Sequence, residues 1–334
     1  MEGADFIMNF DNFVGNEKLK DRLSRMISSR NVPQAIVFEG KQGLGKRTLA
    51  QQFVRALLCT GADKPCMACA ACAKTKTLAH PDVTIIDGSE PKSLSVDVMR
   101  DIRTESFIKP NEADYKVCVF LNADAMTEEA QNAILKILEE PPPYCVFIFT
   151  CESRSSLLQT VLSRSVCMEL FPVPIPQAVD AIRRILPDEP IDKVEKAAEI
   201  FNGNIGASIS SICSGEFTRL YETSLRILNS LSALDELELL RESAVFDGDK
   251  ELFSGCVAVL SLAVRDAIAL KFGSNVTVSG FEARELDSLK SLTAKQLMAL
   301  KAELDDTATA FTRNANPTLL ITRFCARMRQ ACGR

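Results

Sequence analysis

Residues 40–48 read Gly-Lys-Gln-Gly-Leu-Gly-Lys-Arg-Thr, and this stretch constrains the fold of the chain more than any other. It follows the pattern Gly-x-x-x-x-Gly-Lys-Ser/Thr, a loop between a strand and a helix whose backbone N–H groups surround phosphate. Gly40, Gly45 and Lys46 fit the pattern, but Arg47 stands where a magnesium-binding hydroxyl is needed. The sequence therefore predicts a nucleotide-hydrolase scaffold whose catalytic parts are incomplete.

Short apolar runs alternate with helical patterns in the first half of the chain. The runs that predict strands are 35–38, 83–86, 117–121, 146–150 and 166–170. Residues 48–58 and 128–140 place apolar side chains on one helical face, and Pro141 to Pro143 end the second of these helices. This alternation predicts an α/β domain with a parallel sheet that is covered on both faces.

Three prolines, Pro172, Pro174 and Pro176, mark a boundary after which strand patterns fade. Residues 177–212 predict a small helical unit broken by Gly203 and Gly206. Further helices are predicted at 220–240, 251–272, 282–305 and 318–330. The predicted domains are therefore an α/β P-loop domain (1–172), a small helical domain (173–213) and a C-terminal all-α domain (214–334).

Charge and apolar patterning exclude some classes of protein. The net charge of −5 argues against a stand-alone DNA-binding protein, which usually carries a strong positive excess. No stretch approaches the roughly 20 apolar residues of a membrane span, and residues 1–11 carry no basic run typical of a secretory signal. We therefore expect a cytoplasmic protein with reduced thiols.

Four of the twelve cysteines form a cluster. They follow the spacing Cys59-x6-Cys66-x2-Cys69-x2-Cys72, and four thiolates satisfy tetrahedral zinc without leaving a position for water. This predicts a structural zinc module, in preference to four unrelated buried thiols or to disulfides. The other eight cysteines predict buried free thiols; they are Cys118, Cys145, Cys151, Cys167, Cys213, Cys256, Cys325 and Cys332.

Hydrolysis of ATP also needs a carboxylate after a later strand, to hold magnesium or to activate water. The predicted strand 117–121 is followed by Asn122 and Ala123 where an Asp-Glu pair is expected, and Asp124 lies beyond them. With Arg47, this is a double defect, so we expect the chain not to hydrolyse ATP. Two interpretations of the loop stay open: weak nucleotide binding through residues such as Gly43, Lys46 and Thr48, or an empty site.

Two further segments carry chemically capable side chains. His80, the only histidine, opens the His80-Pro81-Asp82 segment before a strand, and a packing or turn role is favoured over catalysis. Arg164, within Ser163-Arg164-Ser165, lies just before the last predicted strand; taken alone, it is typical of a solvated surface arginine.

Together these motifs resemble the clamp-loader proteins of the AAA+ class in bacterial DNA polymerase III, and among them the delta-prime type. The resemblance rests on an opening segment at 10–17, the cysteine module followed by His80-Pro81-Asp82, and residues 124–127 leading to 135–142. Ser163-Arg164-Ser165 is similar to the family's Ser-Arg-Cys motif, with Ser165 in place of the cysteine. The resemblance covers the first half of the chain, and helical content extends it further.

The resemblance implies a division of labour in a five-membered ring. Motor subunits (gamma/tau) bind and hydrolyse ATP, while the delta-prime type is silent and extends an arginine, here Arg164, into a neighbour's ATP site. The partners implied are the motor subunits and the delta subunit, with the sliding clamp and primed DNA reached through the complex. The C-terminal helices would form the ring's collar, and the chain would act in DNA replication as part of the polymerase holoenzyme. Residues 203–208 lack the arginine with which motors sense the γ-phosphate.

Two other functions remain as alternatives. The first is an active gamma/tau-like motor in which Thr48 or Asp124 replaces the missing groups; the absent acidic pair and sensor arginine weigh against it. The second is a zinc-bearing DNA-binding module. Such a module would use a basic and aromatic surface to bind DNA. The net charge of −5, the absence of tryptophan and the presence of only three tyrosines weigh against it.

Overall fold

The computed structural model describes residues 10, 13–231, 236–274, 277–312 and 316–333. The chain divides into two compact units, Met1–Val173 and Pro174–Arg334. The first contains all the described strands, and the described residues of the second form helices only. Asp11 and Asn12 of the predicted opening segment lie outside the described residues. The separation of the second unit into domains at 173–213 and 214–334 stays a prediction.

Each of the five apolar runs forms a strand. The strands are β1 (Ala35–Glu39), β2 (Val83–Asp87), β3 (Lys116–Leu121), β4 (Cys145–Cys151) and β5 (Val166–Glu169). All pair in parallel in the order β2-β3-β4-β1-β5, so the predicted parallel sheet is confirmed. Because the strands are parallel, the residues that follow them meet at one edge of the sheet, where ligands bind in open α/β folds.

Helices cover both faces of this sheet. They are α1 (Glu17–Ser28), α2 (Lys46–Leu58), α3 (Ala70–Lys76), α4 (Val96–Ser106), α5 (Glu128–Glu139) and α6 (Gln159–Leu162). Ile36 and Phe38 of β1 point into a core shared with α1 and α2, whereas Val37 points into a second core shared with α4 and α5. Full burial of each such side chain contributes about 1.5–3 kcal/mol to stability. The near-continuous apolar strands follow from burial on both faces.

Helix α5 has the sequence signals expected of its two ends. Thr127 precedes it, and the Thr127 hydroxyl accepts the backbone N–H of Ala130 at 3.3 Å. The helix ends at Glu139, two residues before Pro141, because a proline disfavours helical backbone in the residue before it. Ala133, which was expected on the inner face, is only half-buried. Glu139 is thereby fixed at the carboxyl end of α5.

The His80-Pro81-Asp82 segment is a buried turn. His80 and Asp82 are 3% and 1% exposed, and the Nδ1 atom of His80 accepts the backbone N–H of Asp82 at 3.2 Å. The Asp82 carboxylate accepts the backbone N–H groups of Asn111, Glu112 and Ala113 at 2.5, 2.8 and 2.9 Å. The segment therefore fixes the loop that leads into β3, a packing and turn role.

We expect Asp82→Asn to lower the free energy of unfolding by about 2 kcal/mol at pH 7. Burial would raise the pKa of Asp82, but the three N–H donors outweigh it and lower that pKa. The stabilisation is therefore complete above the unfolded pKa, about 3.9, and is lost as pH falls through the folded pKa. Urea unfolding of the wild type and of Asp82→Asn should show that the difference between their free energies of unfolding becomes smaller below about pH 4. The exposed Asp97→Asn is the control, and an equal Asp82→Asn loss at all pH values would contradict this account.

The second unit begins with three short helices, α7 (Ile175–Ile185), α8 (Ile191–Ile200) and α9 (Ile205–Ser214). Gly203, with φ of 75°, separates α8 from α9 as expected. Gly206 does not break a helix, and that expectation was wrong. It lies in the first turn of α9, where the Asn204 side chain accepts the Ala207 N–H at 3.1 Å. A side-chain cap of this kind, worth about 1 kcal/mol, offsets the similar cost of one helical glycine.

The remaining helices depart from the predicted ranges at two places. They are α10 (Glu216–Ser230), α11 (Glu236–Ser243), α12 (Lys250–Lys271), α13 (Asp287–Lys290), α14 (Ala294–Thr312) and α15 (Pro317–Ala331). Of the helix predicted at 220–240, α10 ends at Ser230 and α11 begins at Glu236, and residues 232–235 lie outside the described residues. The helix predicted at 282–305 begins only at Asp287 and is interrupted between Lys290 and Ala294. Apolar periodicity continues across the interruption at residues 291–293 and does not reveal it.

Helix α12 is the one described helix that is long and apolar enough to cross a membrane, by length and composition alone. This contradicts the expectation that no stretch approaches a span. Half of its most apolar window is buried within the protein. Asp266, 1% exposed, lies on this helix and accepts the backbone N–H groups of Val278 and Ser279 at 2.8 Å. Buried core helices pass the same test, so length and composition are weak evidence here.

Candidate functional site

The glycine-rich loop connects the end of β1 to the start of α2. Gly43 and Gly45 have φ angles of 87° and 84°, left-handed values that favour glycine. A Cβ atom on Gly45 would also lie 3.1 Å from the ring of Phe13. The backbone of this loop therefore requires glycines at both positions. Thr48 lies half-buried in the first turn of α2.

Lys46 directs its ammonium group into the loop itself. Its Nζ atom donates to the carbonyl oxygens of Gly40 and Lys41, at 2.5 and 3.0 Å, and the residue is 8% exposed. Burial lowers the pKa of Lys46, and this effect outweighs the negative charges of Glu152 and Asp124, which would raise that pKa. To bind the Lys46 ammonium group, a phosphate would have to displace the carbonyl oxygens of Gly40 and Lys41.

Arg47 forms an ion pair across the edge of the sheet. Its Nη1 atom lies 2.9 Å from a carboxylate oxygen of Asp87, the last residue of β2, and the Asn122 amide donates to the other oxygen at 2.8 Å. Burial would raise the pKa of Asp87, but bonds from Ser89 and Asn122 and the charge of Arg47 lower it. A guanidinium at the position of the metal-binding hydroxyl repels a divalent cation and occupies the nearest carboxylate.

The residues after β3 present no unengaged carboxylate to the loop. Asn122 is bound to Asp87, and Ala123 is fully buried. The Asp124 carboxylate accepts the backbone N–H of Glu152 at 2.9 Å and the hydroxyl of Ser156 at 2.8 Å. Asp124 therefore fixes the turn after β4, and a role in place of the acidic pair would require it to give up these bonds.

The four clustered cysteines converge at the end of α2. Cys59 follows α2 directly, Cys69 precedes α3, and Cys72 lies in its first turn. The four Sγ atoms, that of Cys66 included, lie within 4.8 Å of one another. Thiolates around one zinc ion at 2.3 Å are about 3.8 Å apart in a tetrahedron, so the cluster can hold a metal of this kind.

Backbone N–H donors around the cluster favour ionised sulfur, but burial outweighs them at Cys59 and Cys72 and raises the pKa of both thiols. The N–H groups of Gly61 and Cys66 donate to the Cys59 sulfur, at 3.3 and 3.2 Å. Burial would raise the pKa of the Cys69 thiol, but N–H donors that include Cys72 outweigh it and lower that pKa to about 5. A Cβ atom on Gly61 would lie 2.7 Å from the Cys66 Cβ atom. The loop is therefore closed tightly around the four sulfurs.

Arg164 follows α6 and lies on the surface of the first unit. Its Nη2 atom donates to Glu139 at 2.8 Å, and its Nη1 atom donates to the Thr160 carbonyl at 2.9 Å and to the Ser163 hydroxyl at 3.3 Å. The side chain is about one-third exposed. Ser165 donates its hydroxyl to the Val161 carbonyl at 2.8 Å, a bond that holds the end of α6.

The family model described as "DNA polymerase III, delta subunit" matches residues 15–174. The delta-prime subunit of Pseudomonas aeruginosa DNA polymerase III is 33% identical over 174 residues, which are 51% of this chain and 53% of that protein. Residues 15–174 of this chain are thus similar to DNA polymerase III clamp-loader subunits. The match to the delta-prime type agrees with the resemblance seen in the sequence. The tau subunit of Bacillus subtilis is also similar, at 31% identity over 57% of this chain and 34% of that protein.

These matches cover less than two thirds of either relative's own length. Among solved structures, a gamma subunit-related protein of Thermotoga maritima matches with a TM-score of 0.46 and 17% identity, over 93% of this chain and 99% of that one. No conclusion about function rests on that structural likeness. All the site residues predicted from the sequence lie within the matched residues 15–174.

Two partners of the predicted residues, Asp87 and Glu139, were missed from the sequence, and so was the ion pair of Glu39 with Arg154. One feature of the sequence could have pointed to Asp87: it directly follows the predicted strand 83–86, at the edge of the sheet where the glycine loop lies. Glu39 accepts the Nε–H of Arg154 at 2.6 Å and its backbone N–H at 2.9 Å. Burial would raise the pKa of Glu39, but these bonds lower it. Arg154 is thus held at the sheet edge, beside the start of the glycine loop.

Proposed function

We propose that this chain is a delta-prime-type clamp-loader subunit that does not hydrolyse ATP and supplies Arg164 in trans to a neighbouring motor subunit. The observation that carries the proposal is the ion pair between Arg47 and Asp87, which Asn122 joins. It places a fixed positive charge and two engaged side chains where a P-loop hydrolase needs a hydroxyl, a metal ion and a free carboxylate.

The loop supports this interpretation through Lys46. In a working P-loop, the lysine ammonium contacts the β- and γ-phosphates. Here it is buried and bound to the carbonyl oxygens of Gly40 and Lys41. The side chains at the positions that hydrolysis would use are therefore already bound to other groups of the chain. Binding of nucleotide without hydrolysis at Gly40, Gly43, Gly45, Lys46 and Thr48 remains compatible with the proposal.

Arg164 has the properties that a neighbour's ATP site would need. It is partly exposed, and its Nε–H and one Nη2–H have no partner among the described residues. A guanidinium supplied by a second subunit neutralises charge that develops on the transferring phosphoryl group, which is worth roughly 10³ to 10⁵ in rate in other systems. The chain thus lacks what it would need for its own ATP and keeps what a neighbour would need.

The four-cysteine module holds zinc in this proposal, and its role is structural. Four thiolates fill a tetrahedral shell and leave no position for water or substrate. The ion would join the carboxyl end of α2 to the start of α3 through Cys59, Cys66, Cys69 and Cys72. The loop between these helices is then stabilised without an apolar core of its own.

The proposed assembly is a five-membered ring of DNA polymerase III subunits. This chain would contact gamma/tau motor subunits and the delta subunit, and would reach the sliding clamp and primed DNA through the complex. Residues 173–213 would form the small helical domain and residues 214–334 the collar that joins the subunits. A protein of the replication machinery would act in the bacterial cytoplasm.

We expect the purified chain to show no ATP turnover with magnesium and primed DNA, measured as phosphate release against a buffer control. The reason is the absence of a metal-binding hydroxyl and of a free carboxylate at the loop. A gamma/tau motor chain assayed in parallel confirms that the conditions support hydrolysis. Turnover that disappears in Lys46→Ala would show that the chain is itself a motor.

The second candidate is a gamma/tau-like motor, and the similarity to the Bacillus subtilis tau subunit favours it. It requires Asp124 to leave Glu152 and Ser156, and Arg47 to leave Asp87, when nucleotide binds. The same hydrolysis assay separates this candidate from the silent subunit.

A further inference from the structure

The guanidinium of Arg164 is held by two different elements of the first unit. The Glu139 carboxylate, at the end of α5, accepts from Nη2 at 2.8 Å. The Thr160 carbonyl, in α6, accepts from Nη1 at 2.9 Å. Two bonds from one planar group to two separate supports fix its orientation as well as its position. The arginine is therefore oriented before any neighbour is present.

Glu139 is placed where a carboxylate is unfavourable for its own helix. The carboxyl end of a helix carries a partial negative charge, which disfavours an acidic side chain there by a few tenths of a kcal/mol. Glu139 is the last residue of α5, and Glu140 follows it directly. The unfavourable placement of Glu139 is offset by its ion pair with Arg164.

We propose that Glu139 is a positioning residue for Arg164: it holds the guanidinium in the orientation from which the arginine reaches the phosphate groups of a neighbour's nucleotide. This inference rests on the proposed function of Arg164. Glu139 contacts no nucleotide in this account and acts only through Arg164. The ion pair is half-exposed, with side-chain exposures of 34% and 49%, so the arginine can extend without leaving a buried charge unpaired.

Two explanations are possible for an effect of Glu139 on Arg164: general negative charge at the end of α5, or a specific ion pair. The adjacent residue Glu140 allows them to be distinguished. If negative charge at the end of α5 were sufficient, either residue would serve. Only Glu139 forms an ion pair with Arg164 among the described residues. Glu140 is exposed and caps the helix through its backbone N–H, which donates to the Lys136 carbonyl at 3.4 Å. Glu140 is therefore the matched control.

The experiment measures DNA-stimulated ATP turnover by the complex reconstituted with gamma/tau and delta subunits. We expect Glu139→Gln to lower kcat about fivefold, the range of one partly exposed ion pair, with KM for ATP unchanged. Glu139→Asp, which keeps the charge on a shorter side chain, should recover part of the rate. Glu140→Gln should match the wild type. In an Arg164→Ala background, Glu139→Gln should have no further effect.

Three results would overturn the inference. An unchanged or faster rate in Glu139→Gln, with Arg164→Ala slow, would remove Glu139 from this role and leave the proposed function intact. A Glu139→Gln loss that persists in the Arg164→Ala background would mean a general effect on structure. An Arg164→Ala complex with wild-type turnover would reject the proposed function itself, and the inference with it. Equal thermal midpoints of all variants would confirm that folding is preserved.

Discussion

Replacement of Arg164 by alanine is expected to slow ATP turnover at the motor site that it faces by roughly 10³-fold, with assembly of the complex unchanged. The loss is large because the guanidinium is needed only when charge develops on the transferring phosphoryl group. The effect on folding should be small, because the bond to Glu139 is half-exposed and exposed pairs contribute about 0–1 kcal/mol. Single-turnover hydrolysis by the reconstituted complex measures the rate, and gel filtration measures assembly.

Two further variants sharpen this test. Arg164→Lys keeps the charge but loses the planar group, so it should recover only a small part of the rate. Arg100→Ala removes an arginine that pairs with Asp97 on the surface of α4, and it should leave turnover unchanged. An Arg164→Ala complex that assembles and hydrolyses ATP like the wild type would contradict the role given to this residue.

The second large effect is expected from the four-cysteine module. The purified, reduced protein should hold one zinc ion per chain, and Cys69→Ser should lose it. Serine at position 69 can still cap α3, where the Cys69 sulfur now accepts the Cys72 N–H, so the variant mainly removes a metal ligand. Because structural zinc contributes to folding directly, the thermal midpoint of the first unit should fall by on the order of 10 °C.

Elemental analysis and thermal unfolding measure the two parts of this prediction. Chelator should lower the midpoint of the wild type to that of Cys69→Ser and leave the variant unaffected. Cys213→Ser, which replaces an exposed thiol at the end of α9, is the control and should retain the zinc. Reduced wild-type protein that contains no metal would remove the site.

The sheet could be predicted from sequence because burial on both faces leaves few choices. The run at 35–38 is apolar at every position and is followed closely by the glycine loop, and its short length favours a strand over a helix. The low helix propensity of glycine did not reveal that Gly206 lies within a helix. The start of α9 is set by the Asn204 side chain, which accepts the backbone N–H of Ala207. Local rules therefore succeed where one interaction dominates and fail where two of similar size compete.

The candidate site was predictable in its motifs and not in its pairings. The cysteine spacing places four sulfurs within reach of one ion, because the motif is local in the chain. The ion pairs of Arg47 with Asp87 and of Arg164 with Glu139 join residues 40 and 25 positions apart. Nothing in the pattern of either segment specifies its partner, since the pairing depends on which strands and helices end beside each other.

We propose that this chain contributes to ATP hydrolysis through Arg164 and not through its own loop. The most direct test compares Lys46→Ala and Arg164→Ala in the same reconstituted complex, each against the wild type, by DNA-stimulated phosphate release. We expect wild-type turnover for Lys46→Ala and a large loss for Arg164→Ala. A large loss for Lys46→Ala with normal turnover for Arg164→Ala would contradict it and identify the chain as a motor.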